Sequence, residues 1–529
     1  MLIVKQLKSA PLSTITIIAA IILFICSSVR HLLFQSTAFE MGIYDQVTYL
    51  ISQGLPPISS FLEVHHLGNH AAWAMYPVAL LYKVYPSVYW LLLIQAICLA
   101  IGTIPTWSLA RHAGLNKKLA FAMAIVYLSY PVVFNLNLFD FHPEVMALPA
   151  MLGAILAAKL DKTLWFCLAI IWVLGCKDAL SLPVAGMGFW LYFYEKKRLC
   201  GAIALFVGVA WFIIATQVLI PYFKDGQPPG GVGRYRYLGG SIQEILLNMF
   251  LRPELVFGKL ISLKTLEYLL LLNLPVIWWL APKYLTPLIA ASPVFAMNIL
   301  SKIDAQRDLI HQYSLPILPF LLMAVIYTIA DGKCGLWYWL WNLRRPQTDQ
   351  AENMSRIVSD RLPKFIIIWS CIGFLALAKY GYFWSIYLDY LDTWQAAREA
   401  VALVDTKGGV FTTSEITPHL THRQFIKLIV EEDELPTNEA LDEYDYVLVN
   451  VRHPGWKSSQ EYSRKLVDKL KVNSEFQLSY EQDDVYLFEK GKNISRKHSA
   501  ISSQLSAIKM NEASTHLTST TFSTLRRKM

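Results

Sequence analysis

A chain of 529 residues with 55% hydrophobic and only 16% charged residues, and a mean hydropathy of +0.38, lies far from the roughly 25% charged composition of soluble domains. Its 16 Trp, 27 Tyr and 26 Phe exclude a disordered or fibrous chain. What remains is a helical membrane protein with soluble pieces attached, so the net charge of +8 bears on topology before it bears on nucleic acid.

A spanning helix takes about 20 mostly apolar residues, because the hydrocarbon layer is about 30 Å thick and each residue rises about 1.5 Å. That criterion gives about eleven spans, near 11–29, 88–110, 118–135, 144–159, 163–177, 179–194, 200–221, 265–281, 284–300, 313–330 and 365–386. The first follows Lys5 and Lys8 as a signal peptide would, but it lacks a small-residue cleavage site and reads as an uncleaved span. The segment 71–86 reads as a re-entrant or interfacial piece.

Lys and Arg are retained on the cytoplasmic side of a membrane. With the N-terminus inside, that side collects Lys5 and Lys8; Arg111, Lys117 and Lys118; Lys159 and Lys162; Lys196, Lys197 and Arg198; Lys283; and the run from Lys333 to Lys364. An odd span count places the C-terminal part outside. The expected architecture is therefore mainly α: a polytopic domain over 1–386, with external loops 30–87, 135–144, 222–264 and 301–312.

Beyond residue 386 the pattern changes. Trp394, Ala397, Val401 and Val404 recur at helical spacing, Gly408 to Phe411 opens a strand, Tyr446 to Val451 is a buried-strand run, 457–472 is a polar helix, and Val485 to Phe488 is a further strand. The stretch 387–490 reads as a small extracytoplasmic α/β domain, and 491–529, rich in Ser, Thr and Lys, as a disordered tail. The seven cysteines include no Cys-x-x-Cys pair and give neither a disulfide framework nor a thiolate zinc site.

Ionisable groups at span ends are costly unless solvated or paired, and so are functional candidates. In Phe39-Glu40-Met-Gly-Ile-Tyr44-Asp45-Gln46, Glu40 or Asp45 suits a general base acting on an acceptor hydroxyl; helical winding would leave them on partly different faces, and the plainer reading is a capping acid. His66 and His70 stand one helical turn apart, close to His65 and Glu63, as metal-binding or interfacial histidines.

Asp140-Phe-His142-Pro143-Glu144 is the sharpest local feature. In an extended segment its three ionisable side chains project to one side and suit a divalent cation, Mg or Mn, beside a phosphate; Pro143 followed by Glu144 equally reads as an ordinary helix start. Arg234, Arg236, Arg307 and His311 are phosphate-binding candidates, with lipid head groups as the competing partner. Lys177 and Asp178 read as neutralising each other. No Walker motif is present, and Gly230-Gly231-Val-Gly233 follows no strand.

The stretch Phe39 to Gln46, then His70 with Tyr76-Pro77, Gln95-Ala96 and Trp107 to Arg111, then Phe139-Asp140-Phe141-His142-Pro143-Glu144, and His311-Gln-Tyr313-Ser-Leu-Pro316-Ile-Leu-Pro319, resembles the DUF2079 family of predicted bacterial membrane proteins over roughly residues 30–455. Glu40 departs from that pattern, which has Asp there. The family is grouped with the GT-C glycosyltransferases. That resemblance implies a lipid-linked sugar donor, an acceptor of unspecified kind, an acid in the first external loop (Asp45 or Glu40) and acidic metal ligands in the next (Asp140, Glu144). It also implies the bacterial inner membrane, with membrane lipids as neighbours; no nucleic-acid partner is expected, because topology accounts for the positive charge and the basic tail is short. A transporter or flippase of a lipid-linked or anionic solute, and a non-catalytic membrane scaffold, are the alternatives.

Overall fold

The apolar run after residue 10 forms one helix, α1 (Ala10–Leu32), in the computed structural model, which describes residues 10–332 and 351–491. The tail 492–529 lies outside the described residues, as do Lys5, Lys8, Lys333, Cys334, Arg344 and Arg345. One face of α1 carries Ile17, Ile18, Ile21, Ile22 and Ile25, each about half exposed, an apolar row of the kind a helix presents to lipid. The chain divides into two compact units, Met1–Leu391 and Asp392–Met529.

In the first unit the long loop after α1 is itself built. A π turn, Ala38–Gly42, leads into α2 (Ile43–Ser52), followed by a two-stranded hairpin of β1 (Ile58–Ser59) and β2 (Val64–His65), a turn of helix at His66–His70, and α3 (Met75–Val84). Gln46 of α2 holds the hairpin by accepting from the Ser60 N–H at 2.9 Å and donating to the Ser60 hydroxyl at 2.7 Å.

Beyond the helices Tyr89–Ile101, Thr103–His112 and Lys117–Leu128 come α4 (Pro131–Phe139), ended by Asp140, then α5 (Glu144–Lys159) and α6 (Thr163–Cys176). A hairpin of α7 (Ser181–Phe193) and α8 (Arg198–Ile214) follows. Its helices meet at glycines: a Cβ at Gly188 would strike the Leu205 backbone, and one at Gly208 the Ala185 backbone. Small residues permit such close backbone approach where lipid provides no hydrophobic drive between helices. Trp190, Tyr127, Tyr130, Phe141 and Phe320 fill the core of this unit.

Among the described residues, five helices are long and apolar enough to cross a membrane: Pro11–Leu32, Tyr89–His112, Lys117–Phe139, Arg198–Tyr222 and Asp304–Ala330. Pro253–Leu260 and Leu263–Trp279, bent by 50°, make a sixth if they form one span. The expectation of about eleven is not reproduced. The apolar runs 144–159, 163–177, 179–194 and 284–300 fold as helices of 16, 14, 13 and 13 residues, which reach about 20–24 Å and fall short of a 30 Å layer.

The second unit carries a five-stranded sheet in the order β4–β3–β5–β7–β6, made of β3 (Val410–Thr412), β4 (Ile426–Leu428), β5 (Tyr446–Asn450), β6 (Phe476–Gln482) and β7 (Val485–Lys490). The first three are parallel; β7 pairs antiparallel with β5 and β6. Val447, Val449 and Val451 on one face pack with Leu466 and Leu470 of the helix Gln460–Val472, while Leu448 is fully buried on the other, as expected of a sheet covered on both faces.

Candidate functional site

The site grows from two short segments of the first unit that irregular backbone brings together. Glu40 lies in the π turn, a wide winding that is rare and concentrated at functional sites. Asp140 ends α4 with φ 149° and ψ 177°, a conformation reserved almost wholly for glycine, costing a side-chain-bearing residue about 1–3 kcal/mol. His142 follows it two residues on.

Glu40 Oε2 stands 2.7 Å from His142 Nε2, with the Glu40 side chain 29% exposed and that of His142 1%. His142 Nδ1–H donates to the Asp140 carbonyl at 3.1 Å. With that nitrogen protonated, Nε2 can face a carboxylate favourably only if it too carries a proton, so the ring is an imidazolium. Its Nε2–H does not point along the contact, which makes this a charge contact and not an aligned hydrogen bond. Burial opposes both charges but loses: His142, then Lys177, hold the Glu40 carboxyl below its ordinary value, and Glu40 holds the His142 ring above its own.

The other members of the cluster are paired across the chain. Asp140 Oδ1 meets Arg30 at the end of α1, and Asp140 Oδ2 accepts from the Thr37 N–H at 3.0 Å and the Thr37 hydroxyl at 3.2 Å. Lys177 Nζ contacts Glu144 Oε1 at 2.5 Å, and His70 Nδ1 lies 3.0 Å from Asp178 Oδ1. Lys177 and Asp178 therefore do not neutralise each other, because the extended backbone of Lys177 (φ −165°, ψ 143°) at the end of α6 sends the two side chains to different partners.

A cavity of about 150 Å³ opens onto this cluster, lined by Phe39, Glu40, Tyr44, Asn69, His70, His142, Lys177, Arg234, Gln312 and Tyr313 among others. The Arg234 guanidinium lies over the Tyr313 ring at 5.0 Å. It arrives on a 3-10 segment, Gly230–Tyr235, anchored where Lys302 N–H donates to the Arg234 carbonyl at 3.1 Å.

Of the residues expected to act, the cavity gathers Glu40, His70, His142 and Arg234. Asp45 does not line it: that carboxylate is 1% exposed and accepts from the Tyr82 hydroxyl at 2.5 Å. His66 is 2% exposed and its Nε2 lies 2.9 Å from the Ala72 carbonyl; burial drives its pKa down to about 4, so it is a neutral structural histidine. Arg236 is exposed, Arg307 is bonded to Asp304 at 2.8 Å, and His311 to Asp308 at 2.7 Å.

A divalent ion on Asp140, His142 and Glu144 does not fit this arrangement. The three do not project to one side, since Pro143 starts a helix; they face Arg30, Glu40 and Lys177 in turn. Among the described residues, no three His, Cys, Asp or Glu side chains are grouped to hold a metal.

Sequence reasoning missed Arg30, and it missed Lys177 as the partner of Glu144. The available signal was a cation at each end of an apolar run that the charge bias assigns to the outer side.

A family model described as a predicted membrane protein, DUF2079, matches residues 30–487. The chain belongs to this family. No curated protein matches the DUF2079 chain. Among solved structures it is similar to ArnT from Cupriavidus metallidurans bound to undecaprenyl phosphate, with 10% identity, 92% of this chain and 99% of that one covered, and a TM-score of 0.47. It is also similar to the apo oligosaccharyltransferase of Archaeoglobus fulgidus, with 11% identity, 84% and 70% covered, and a TM-score of 0.40. Superpositions this loose assign no residue and no substrate to the DUF2079 chain.

Proposed function

We propose that this protein is a multi-pass membrane glycosyltransferase of the GT-C kind, moving a sugar from a polyprenyl-phosphate carrier to an acceptor hydroxyl on the extracytoplasmic side of the bacterial inner membrane. One observation carries the reading: a carboxylate backed by an imidazolium, Glu40 with His142, shares a single cavity with the cations Arg234 and Lys177. A base for a hydroxyl and a seat for a phosphate are the two requirements of this transfer, which needs no nucleotide site.

In the reaction the acceptor oxygen forms a bond to the anomeric carbon as the bond from that carbon to the phosphate oxygen breaks. Glu40 takes the acceptor's proton. The electron pair of the broken bond leaves on the phosphate, whose charge Arg234 and Lys177 stabilise. Tyr44 and Tyr313 border the same cavity beside the sugar. Asp45, tied to Tyr82, supports α2 and does not act on substrate.

The test is sugar transfer by purified protein from polyprenyl-phosphate-linked donors, comparing wild type with Glu40→Gln and Arg234→Gln. Transfer by the wild type and its loss in both variants supports the reading. Donor movement across vesicles without covalent change would replace it with a transporter or flippase, and neither activity would leave a membrane scaffold.

A further inference from the structure

Asp140 has no seat in the cavity, yet it is the most strained residue near it. Its carboxylate spans two elements: Oδ1 holds Arg30, which also donates to the Phe139 carbonyl at 2.6 Å, while Oδ2 takes both donors of Thr37. Thr37 is the residue that opens the π turn carrying Glu40. No side chain of Thr37 itself caps that turn, so the cap is supplied from Asp140, far away in sequence. The Asp140 carbonyl meanwhile orients His142, the partner of Glu40. One residue in a glycine-like conformation thus sets both halves of the Glu40–His142 pair: the turn through its side chain and the ring through its backbone.

We propose that Asp140 is a positioning residue for Glu40, clamping the π turn to Arg30 and to the end of the Pro131–Phe139 helix so that the Glu40 carboxylate is aimed into the cavity. The inference rests on the reading of Glu40 as the proton acceptor, and it assigns Asp140 a part that neither a metal ligand nor a substrate contact would play. Such positioning matters because displacing a reacting group by about 1 Å can cost roughly 10²-fold in rate.

Asp140→Asn is the informative change. It is almost the same size, but its amide must point a donor at either Arg30 or Thr37, so one arm of the clamp fails in either orientation. Thr37→Val removes only the hydroxyl and keeps the N–H, giving a milder break in a protein that folds even if Asp140→Asn does not. Both are measured in full-length purified protein alongside Glu40→Gln and the double variant Glu40→Gln with Asp140→Asn. The readouts are sugar transfer, thermal unfolding, and peptide-mapped labelling of Glu40 by a water-soluble carbodiimide at one fixed pH.

Positioning requires that Asp140→Asn lower kcat by roughly 10²-fold with little change in the KM for donor, and that Thr37→Val do so less. It also requires that the double variant be no slower than Glu40→Gln alone, and that Glu40, freed from His142, label more heavily. Equal penalties for Asp140→Asn with and without Glu40, or unchanged labelling of Glu40, would overturn the proposal. Heavier labelling in a protein whose wild type transfers no sugar would keep the clamp and remove the transfer reading instead.

Discussion

Two stretches of the first unit carry the same ingredients and use them differently. In 140–144, acids and a histidine reach partners far along the chain: Asp140 to Arg30, Glu144 to Lys177, His142 to Glu40. In 304–311 the pairing is mainly between neighbours three residues apart, Arg307 with Asp304 and His311 with Asp308, although Asp304 also meets Lys264. Local pairing takes up the charge of a loop within the loop itself. Pairing across the chain stations charge where separate segments converge, and there the cavity opens.

The largest effect is expected at Glu40. Glu40→Gln removes the proton acceptor and is expected to lower kcat for transfer by about 10²–10⁴-fold, in assays where a melting curve reports intact protein. Lys177→Met leaves Glu144 buried and unpaired, at a cost of about 3–5 kcal/mol. Denaturation in detergent checks this, and adding Glu144→Gln restores most of the loss. Arg234→Gln, which removes a charged contact to the leaving phosphate worth about 1.5–3 kcal/mol, lowers kcat/KM for donor by roughly 10- to 100-fold in the same transfer assay.

The Glu40–His142 contact sharpens the contrast through pH. A carboxyl held below its ordinary value of 4.5 contributes stability that is present above that value and lost as pH falls through the lowered one. A ring held above its ordinary 6.5 contributes fully below that value and loses the contribution as pH rises through the raised one. The melting-temperature difference between wild type and His142→Asn is therefore greatest between the ordinary values 4.5 and 6.5 and shrinks on either side. The smallest effect belongs to the locally paired stretch: Asp304, 61% exposed in its side chain, changed to Asn, alters transfer by less than about twofold.

The sequence singled out the segment where the charges gather but not which residues they would meet. Phe-Asp-Phe-His-Pro-Glu stood out because three ionisable groups alternate beside an apolar run; the choice between an extended strap and a helix start was open, and Pro143 settles it by opening the Glu144–Lys159 helix. Arg30 escaped notice because it closes an apolar run, where a cation reads as a membrane anchor, and its partner stands 110 residues away. Local periodicity has no access to such a distance. Hydropathy likewise senses apolar character and not helix continuity, so runs ending at 159, 177, 194 and 300 promised spans where shorter helices form. In the second unit Tyr446 to Val451 declared itself by its valines. β6 did not, because its Gln, Ser and Glu side chains lie at an exposed edge of the sheet.

The wide winding at Ala38–Gly42 turns spacing into a requirement of its own. In a regular helix each residue advances the chain by about 100°, so deleting a single residue between Thr37 and Glu40 would relax the loop to ordinary pitch and swing the acid away from its present direction with its chemistry unaltered. The number of residues from Thr37 to Ile43, more than the identity of each, is thus the register mark that keeps the acid aimed, and it is a count by which other sequences can be checked.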